Sequence, residues 1–362
     1  MKENTFSVTC PSVLQRKGSM DFKSTETHLH AALQIVCLLV ILFTLAGASA
    51  ELSAATPAAV PAETPKVIDR ISDPAAWPDF AFDPDDDLLE IYFPFLRDQD
   101  CAIFRYQEQV WMLDCGDERA QDEIVPLLKE LGITQVDKLI NSHPHHDHLN
   151  GLYAVDAAVP VRELAICFPE DTTRHMTAAM EYCKGNRIPV TTFDDESVMG
   201  MGDGFVTFLS WMKSSDLETL NNRCAVTMVT FGNCNILFTA DLEYQGQRSL
   251  LNAVEPEHLK ADILRYPHHG KSAMVEGLFD AVSPALTIIT NTNRIVELRE
   301  STKFLGYRHA SVLYTHRPPY IIRLRTDGEH WICDQFAIEI ATPTPSQDGV
   351  TPEPVLLDSD DQ

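Results

Sequence analysis

Short apolar runs separated by polar turns alternate along the chain with stretches whose apolar residues recur at helical spacing. Residues 88–95, 102–106 and 110–114 read as three strands. A helix over 121–131 follows, with Ile124, Leu127, Leu128 and Leu131 on one face and Gly132 as its stop. Pro126 confines that helix's first turn to the residues just before it. The run 136–140 reads as a buried strand and 149–155 as the start of a helix, so the order is strand, helix, strand, turn, helix. Further on come strands at 163–168, 188–193 and 205–211, with a helix over 172–184. A hairpin of 224–231 and 235–239 turns at Gly232-Asn233, and a helix over 245–253 leads to a strand at 261–266. The pattern ends with a strand at 285–290, a helix near 295–304, a strand at 311–314, and a hairpin of 320–325 and 330–336 turning at Asp327-Gly328. Interleaved strands and helices of this kind predict a mixed α/β (α+β) domain over 71–340.

The two ends have other patterns. Residues 31–46 are almost wholly apolar, preceded by Lys2, Arg16, Lys17 and Lys23 and followed by Ala48-Ser49-Ala50. That order predicts a signal peptide in 1–50, cleaved after Ala50, with an uncleaved membrane anchor as the alternative. Either way the domain is expected to be secreted or anchored on the outer face of the cytoplasmic membrane. Residues 51–70 are Ala/Pro-rich and read as a linker, and 341–362 as a disordered acidic tail.

Charge narrows the partners. The 362 residues carry 53 acidic and 28 basic side chains, a formal net charge of −25. Such a surface repels a phosphate backbone, and no long Lys/Arg cluster offsets it, so nonspecific nucleic-acid binding is disfavoured. Cysteine adds little. Of nine, two fall in the leader and the others are scattered without a CxxC pair, which does not indicate a disulfide framework.

The chemistry is concentrated in Asn141-Ser142-His143-Pro144-His145-His146-Asp147-His148-Leu149-Asn150-Gly151. Imidazole and carboxylate are the usual ligands of a borderline divalent metal, and a strand-to-helix turn can bend several of them around one site. A His-rich surface turn is the bland alternative. Three features elsewhere in the chain argue against it. Asp114 ends a strand just before Gly116. Asp241 directly follows a buried apolar strand, where a carboxylate needs a positive partner. His268 and His269 stand at another strand end, before Gly270. His146, His175, His309 and His316 are read as surface or spectator residues.

The spacing HxHxDH, filled by His143, His145, Asp147 and His148, resembles the defining motif of the metallo-β-lactamase-fold hydrolase superfamily. Together with Leu113-Asp114-Cys115-Gly116, Asn221-Asn222, Thr239-Ala240-Asp241 and Pro267-His268-His269-Gly270, it looks like the branch containing the hydrolase domain of the competence DNA-uptake channel and its stand-alone relatives. The resemblance implies a four-layer αββα sandwich with the site along one edge. It also implies two divalent ions, zinc or else manganese. His143 and His145 would hold one, and Asp147, His148 and one histidine of the 268/269 pair the other. Asp241 and a water would be shared. Asp114 would support the ligands, and Asp147 would also orient the nucleophile. His268 is assigned as the ligand and His269 as the group acting on the leaving group, with their exchange open.

Two departures stand out. Asn221 and Asn222 occupy a place where many members have a histidine, so Asn222 is expected to be a weak ligand through its amide oxygen. Arg97-Asp98-Gln99-Asp100-Cys101 lacks the glycines of the branch's first turn. The expected activity is hydrolysis of a small or cell-envelope phosphodiester. The rival readings are a competence-type nuclease, a β-lactam or lactone hydrolase, and a noncatalytic binding protein on a degenerate site.

Overall fold

The structure, a computed structural model, describes residues 64–212, 217–292 and 300–339. The leader at 1–50, the tail at 341–362 and the first half of the helix expected near 295–304 lie outside them, while its second half falls in the helix Glu300–Tyr307. Among the described residues, sixteen strands form two sheets. The first runs in the order β1 (Val67–Asp69), β16 (Trp331–Ala337), β15 (Tyr320–Thr326), β2 (Leu89–Phe93), β3 (Ala102–Tyr106), β4 (Gln109–Leu113), β5 (Lys138–Ile140), β6 (Leu164–Ile166), β7 (Val190–Thr192). The second runs β14 (Val312–Tyr314), β13 (Leu286–Ile289), β12 (Ile263–Arg265), β11 (Cys234–Phe238), β10 (Val226–Phe231), β9 (Val206–Trp211), β8 (Ser197–Met201). Both sheets are mixed: β4 through β7 are parallel, as are β11 through β14, and the hairpin-linked strands are antiparallel.

The period of two along each strand sorts side chains between two cores. Leu89, Ile91 and Phe93 of β2, Phe104 of β3, and Trp111 and Leu113 of β4 face Phe208, Ile236, Phe238, Ile263 and Ile288 of the other sheet. Phe104 meets Phe208 edge-on at 4.9 Å between ring centroids, and Trp111 meets the same ring at 5.0 Å. The intervening residues point outward. Tyr92, Ile103 and Met112 pack with Leu127, Leu128, Leu152, Val155 and Met176 from helices on the first sheet. Leu237, Leu264 and Ile289 pack with Leu250, Leu278 and Leu305 on the second. Three apolar layers between four layers of structure make the αββα sandwich.

Local departures from the expected elements have plain causes. The helix expected over 121–131 is two short ones, Ala120–Glu123 and Val125–Glu130, broken at Ile124. Pro126, in the first turn of the second, has no N–H to continue the ladder from the first. The strand β1 lies inside 51–70, the stretch read as a linker, where it adds a parallel edge to β16. The strand β8 was not expected at all: its side chains are mostly exposed or half-exposed and it contains Gly200, so it lacks an apolar signature. The seven described cysteines are all thiols.

Beside Ile124, Glu123 carries a pH-dependent strain. Burial, against an opposing effect of Arg119, pushes its carboxyl up to about 7. A carboxyl whose folded pKa is raised stabilises the fold below its unfolded value, near 4.3, and loses that contribution as pH rises through 7. Glu123→Gln is therefore expected to raise Tm more at pH 8 than at pH 5. An equal shift at both would rule out titration of this carboxyl as the cause.

Candidate metal centre

Apart from Asn222, the sequence-predicted donors stand at the C-terminal ends of neighbouring parallel strands. Asp114 follows β4, the histidine cluster follows β5, Asp241 follows β11, and His268 and His269 follow β12. Carboxyl ends of parallel strands are the general place for ligands in such sheets, because the loops there converge. The residues His143 and His145 lie in the extended exit from β5, whereas Asp147 and His148 belong to a one-turn helix, His146–Leu149. Gly151 permits the next helix, Leu152–Ala158, to dock: a Cβ there would overlap the Cys115 carbonyl oxygen.

Two groups of donor atoms result, each with its members within 4.8 Å of one another. One comprises Asp147, His148, Asp241 and His269; the other His143, His145 and Asp241. Asp241 belongs to both. Its Oδ1 lies 3.2 Å from His148 Nε2 and 3.2 Å from His269 Nε2, and its Oδ2 lies 4.0 Å from His143 Nε2. His143 Nε2 in turn lies 3.0 Å from His145 Nδ1. A third grouping, Asp100, Asp114 and His148, is already committed elsewhere. Asp100 pairs with Arg265 at 2.5 Å, and Asp114 holds the far side of His148.

The fit to a cation rests on orphaned atoms. His148 Nε2, Asp241 Oδ1 and His269 Nε2 are buried and meet in one place, where the 3.2 Å approaches lack the geometry of well-formed hydrogen bonds. A buried unsatisfied polar atom costs about 1–3 kcal/mol, so three together mark a site shaped for something positive. Electrostatics agrees. Burial alone would lower His148 and His269, but the Asp241 carboxylate, with Asp114 and Asp147 for the former and Asp147 for the latter, holds both above the usual imidazole value. Burial would raise Asp147 and Asp241, yet the surrounding imidazoles, His148 foremost for one and His269 for the other, keep both well below the usual carboxylate range. His143 is held well below its usual value by burial and then by His148 and His145, which leaves its ring neutral. The residues present suit divalent ions.

The supporting contacts are equally specific. Asp114 Oδ1 accepts Ser142 N–H at 2.8 Å, and its Oδ2 accepts Ser142 Oγ–H at 2.6 Å and lies 2.7 Å from His148 Nδ1. With Nδ1–H given to Asp114, His148 offers Nε2 to the site. Asp114→Asn keeps the shape, and asparagine tolerates the left-handed backbone at this position (φ 56°). The variant is expected to bind metal about 10- to 100-fold more weakly, measured by competition with a chromogenic chelator. An unchanged affinity would dismiss the orienting role.

The histidine pair, whose roles the sequence left open to exchange, divides in the structure. His269, expected to act on the leaving group, is fully buried and belongs to the donor group; His268, expected as the ligand of that group, lies outside it. The exchange follows from the backbone: both residues take left-handed conformations (φ 50° and 49°), which swing the second ring inward and the first toward the rim. Two adjacent non-glycine residues held this way cost about 1–3 kcal/mol each. Asn222 is not aimed at the site. Its Nδ2 donates to Thr219 Oγ1 at 2.8 Å and to Glu243 Oε2 at 3.1 Å, and its Oδ1 accepts Gly246 N–H at 2.7 Å. Both amide hydrogens and the carbonyl oxygen are thus engaged, with Thr219 and with the start of the helix Tyr244–Ala253.

One residue escaped the sequence reading. Arg265, at the end of β12, is fully buried and ties the centre together. Its Nε donates to Asp100 Oδ1 at 3.1 Å, its Nη2 reaches Thr290 Oγ1 at 2.9 Å and lies 3.0 Å from His269 Nδ1, and its Nη1 donates to the Ala240 carbonyl. Ala240 is itself left-handed (φ 42°), and this turn presents Asp241. The signal was available: in β12 Ile263 faces the other sheet and Leu264 faces out, so Arg265 must face in.

Stacked sheets with buried imidazoles and carboxylates meeting at one edge define an αββα protein with a candidate metal centre. The chain belongs to the metallo-beta-lactamase superfamily, whose family model matches residues 95–284. It is 29% identical over 175 residues to competence protein ComA of Neisseria gonorrhoeae, covering 48% of this chain and 22% of that protein. It is 24% identical over 190 residues to ComE operon protein 3 of Bacillus subtilis, covering 52% of this chain and 24% of that one. The match thus spans under a quarter of either relative. Among solved structures it is similar to a diphosphatase of the PhnP family, with 12% identity, a TM-score of 0.40, and coverage of 62% of this chain and 94% of the other.

Proposed function

We propose that the chain is a metal-dependent phosphodiesterase using two divalent ions, one in each donor group, with Asp241 between them. The observation that carries this reading is the division of the Asp241 carboxylate, one oxygen toward His148 and His269 and the other toward His143. A pair of ions held that way would lower the pKa of a water from near 16 to about 7 and clamp the attacking and leaving oxygens of an in-line displacement. The chain's own residues do the rest. Asp147, ionised at neutral pH and 3.4 Å from His269 Nε2, orients the attacking water. Asp114 and Arg265 fix the donors, so little reorganisation is needed during the reaction.

The substrate we favour is a small or cell-envelope phosphodiester. The net charge of −25 opposes a long polyanion. We place the domain outside the cytoplasmic membrane on the strength of the apolar run at 31–46. Among the described residues no helix is long and apolar enough to cross a membrane. The test is a panel run on zinc- and manganese-loaded protein: bis-nitrophenyl phosphate, a choline-phosphate ester, single-stranded DNA and a chromogenic β-lactam. Turnover of the small diesters supports the reading. Metal bound without diester cleavage, or faster β-lactam turnover, overturns it. Cleavage of the DNA alone would establish the nuclease instead, and a metal-free, inert protein the binding role.

A further inference from the structure

The two donor groups are unequal. Four residues meet in one, and only His143, His145 and the shared Asp241 in the other. Asn222, which stands where a third imidazole is expected, spends both amide hydrogens and its carbonyl oxygen on Thr219, Glu243 and Gly246. Another imidazole stands close by, on the Asp241 side and outside that 4.8 Å group. His268 Nε2 lies 3.7 Å from Asp241 Oδ2, the same oxygen that faces His143.

We propose that His268 is the missing ligand of the poorer group, so that the adjacent residues His268 and His269 serve two different ions. This rests on the two-ion reading above. The ring is prepared for the role. Its Nδ1 lies 2.8 Å from Ser272 Oγ and 3.8 Å from Glu243 Oε1. With Nδ1–H donated to Ser272, the lone pair of Nε2 is free, which is the tautomer a metal requires. The two rings are turned 71° from one another with centroids 6.0 Å apart, and their Nε2 atoms accordingly meet opposite oxygens of Asp241. Paired left-handed backbone at 268 and 269 is what divides them. A histidine that merely lined the rim would have no need of this conformation or of Ser272 behind it. Glu243 holds both Asn222 and the neighbourhood of His268, so the substitution at 222 and the recruitment of His268 share one anchor.

The experiment uses the full chain and His268→Gly, chosen because glycine fits a φ of 50° without strain. Metal content is measured by mass spectrometry after dialysis against limiting zinc, and cobalt-substituted protein is followed by its visible absorption. The native chain is expected to hold two ions. The variant is expected to hold one tightly and the second more than about 100-fold more weakly, beyond the loss of a mere supporting partner. Added imidazole is expected to restore the second ion and the cobalt spectrum. Ser272→Ala should weaken the same ion by about 10- to 100-fold. A variant that keeps two ions with the native spectrum overturns the ligand role while leaving the two-ion centre intact. A native chain that binds no ion refutes the underlying reading as well, so the two failures are distinct.

Discussion

Asp241→Ala is expected to abolish hydrolysis, with kcat/KM falling by at least about 10³-fold. The loss corresponds to about 4 kcal/mol of transition-state stabilisation, well within what a divalent ion contributes to the charge developing on a phosphoryl group. The magnitude follows from the position of this one carboxylate. It is buried, belongs to both donor groups, and is faced by imidazoles on both oxygens. Removing it would deprive each of the two proposed ions of an anionic ligand. Metal content should fall with activity, while far-ultraviolet circular dichroism stays native. Retention of more than a tenth of the activity with both ions present would sink the bridging assignment.

Arg265→Met is expected to be the most damaging single change to stability, by about 3–5 kcal/mol, the usual result of leaving a buried charge without its partner. In a domain of this size that corresponds to a fall in Tm of about 10 °C. The burden falls on Asp100, which loses a counter-ion at 2.5 Å, and on the Ala240 carbonyl. The double variant Arg265→Met/Asp100→Leu is expected to recover much of the loss, because it removes both charges together. A double-mutant cycle measures the coupling. If Arg265→Met melts within 2 °C of the native protein, the guanidinium does not hold the centre.

Much of this was legible in the chain. Strands such as β2 to β4 carry their alternation openly, since one set of side chains fills the inter-sheet core and the other packs under helices. The HxHxDH run, Asp114 and Asp241 stand out because a carboxylate or imidazole at the end of an apolar strand has little other use. What stayed hidden depended on orientation. Nothing in Pro267-His268-His269-Gly270 says which ring turns inward, because that is set by two left-handed residues in succession. Asn222 looked like a ligand by position and is spent on Thr219, Glu243 and Gly246. The short edge strand β1 lies in an Ala/Pro-rich stretch that gives no periodic signal, and its partner β16 is more than 250 residues away in sequence.

The donors are drawn from both halves of the sandwich, His143 to His148 from one sheet and Asp241 with His269 from the other. Ions seated between them would act as a clasp across the seam where the two halves meet. Loaded protein is then expected to breathe less at that seam, so amide deuterium uptake in β5 and β12 should slow together when zinc is added, while β8, at the far edge, keeps its own pace.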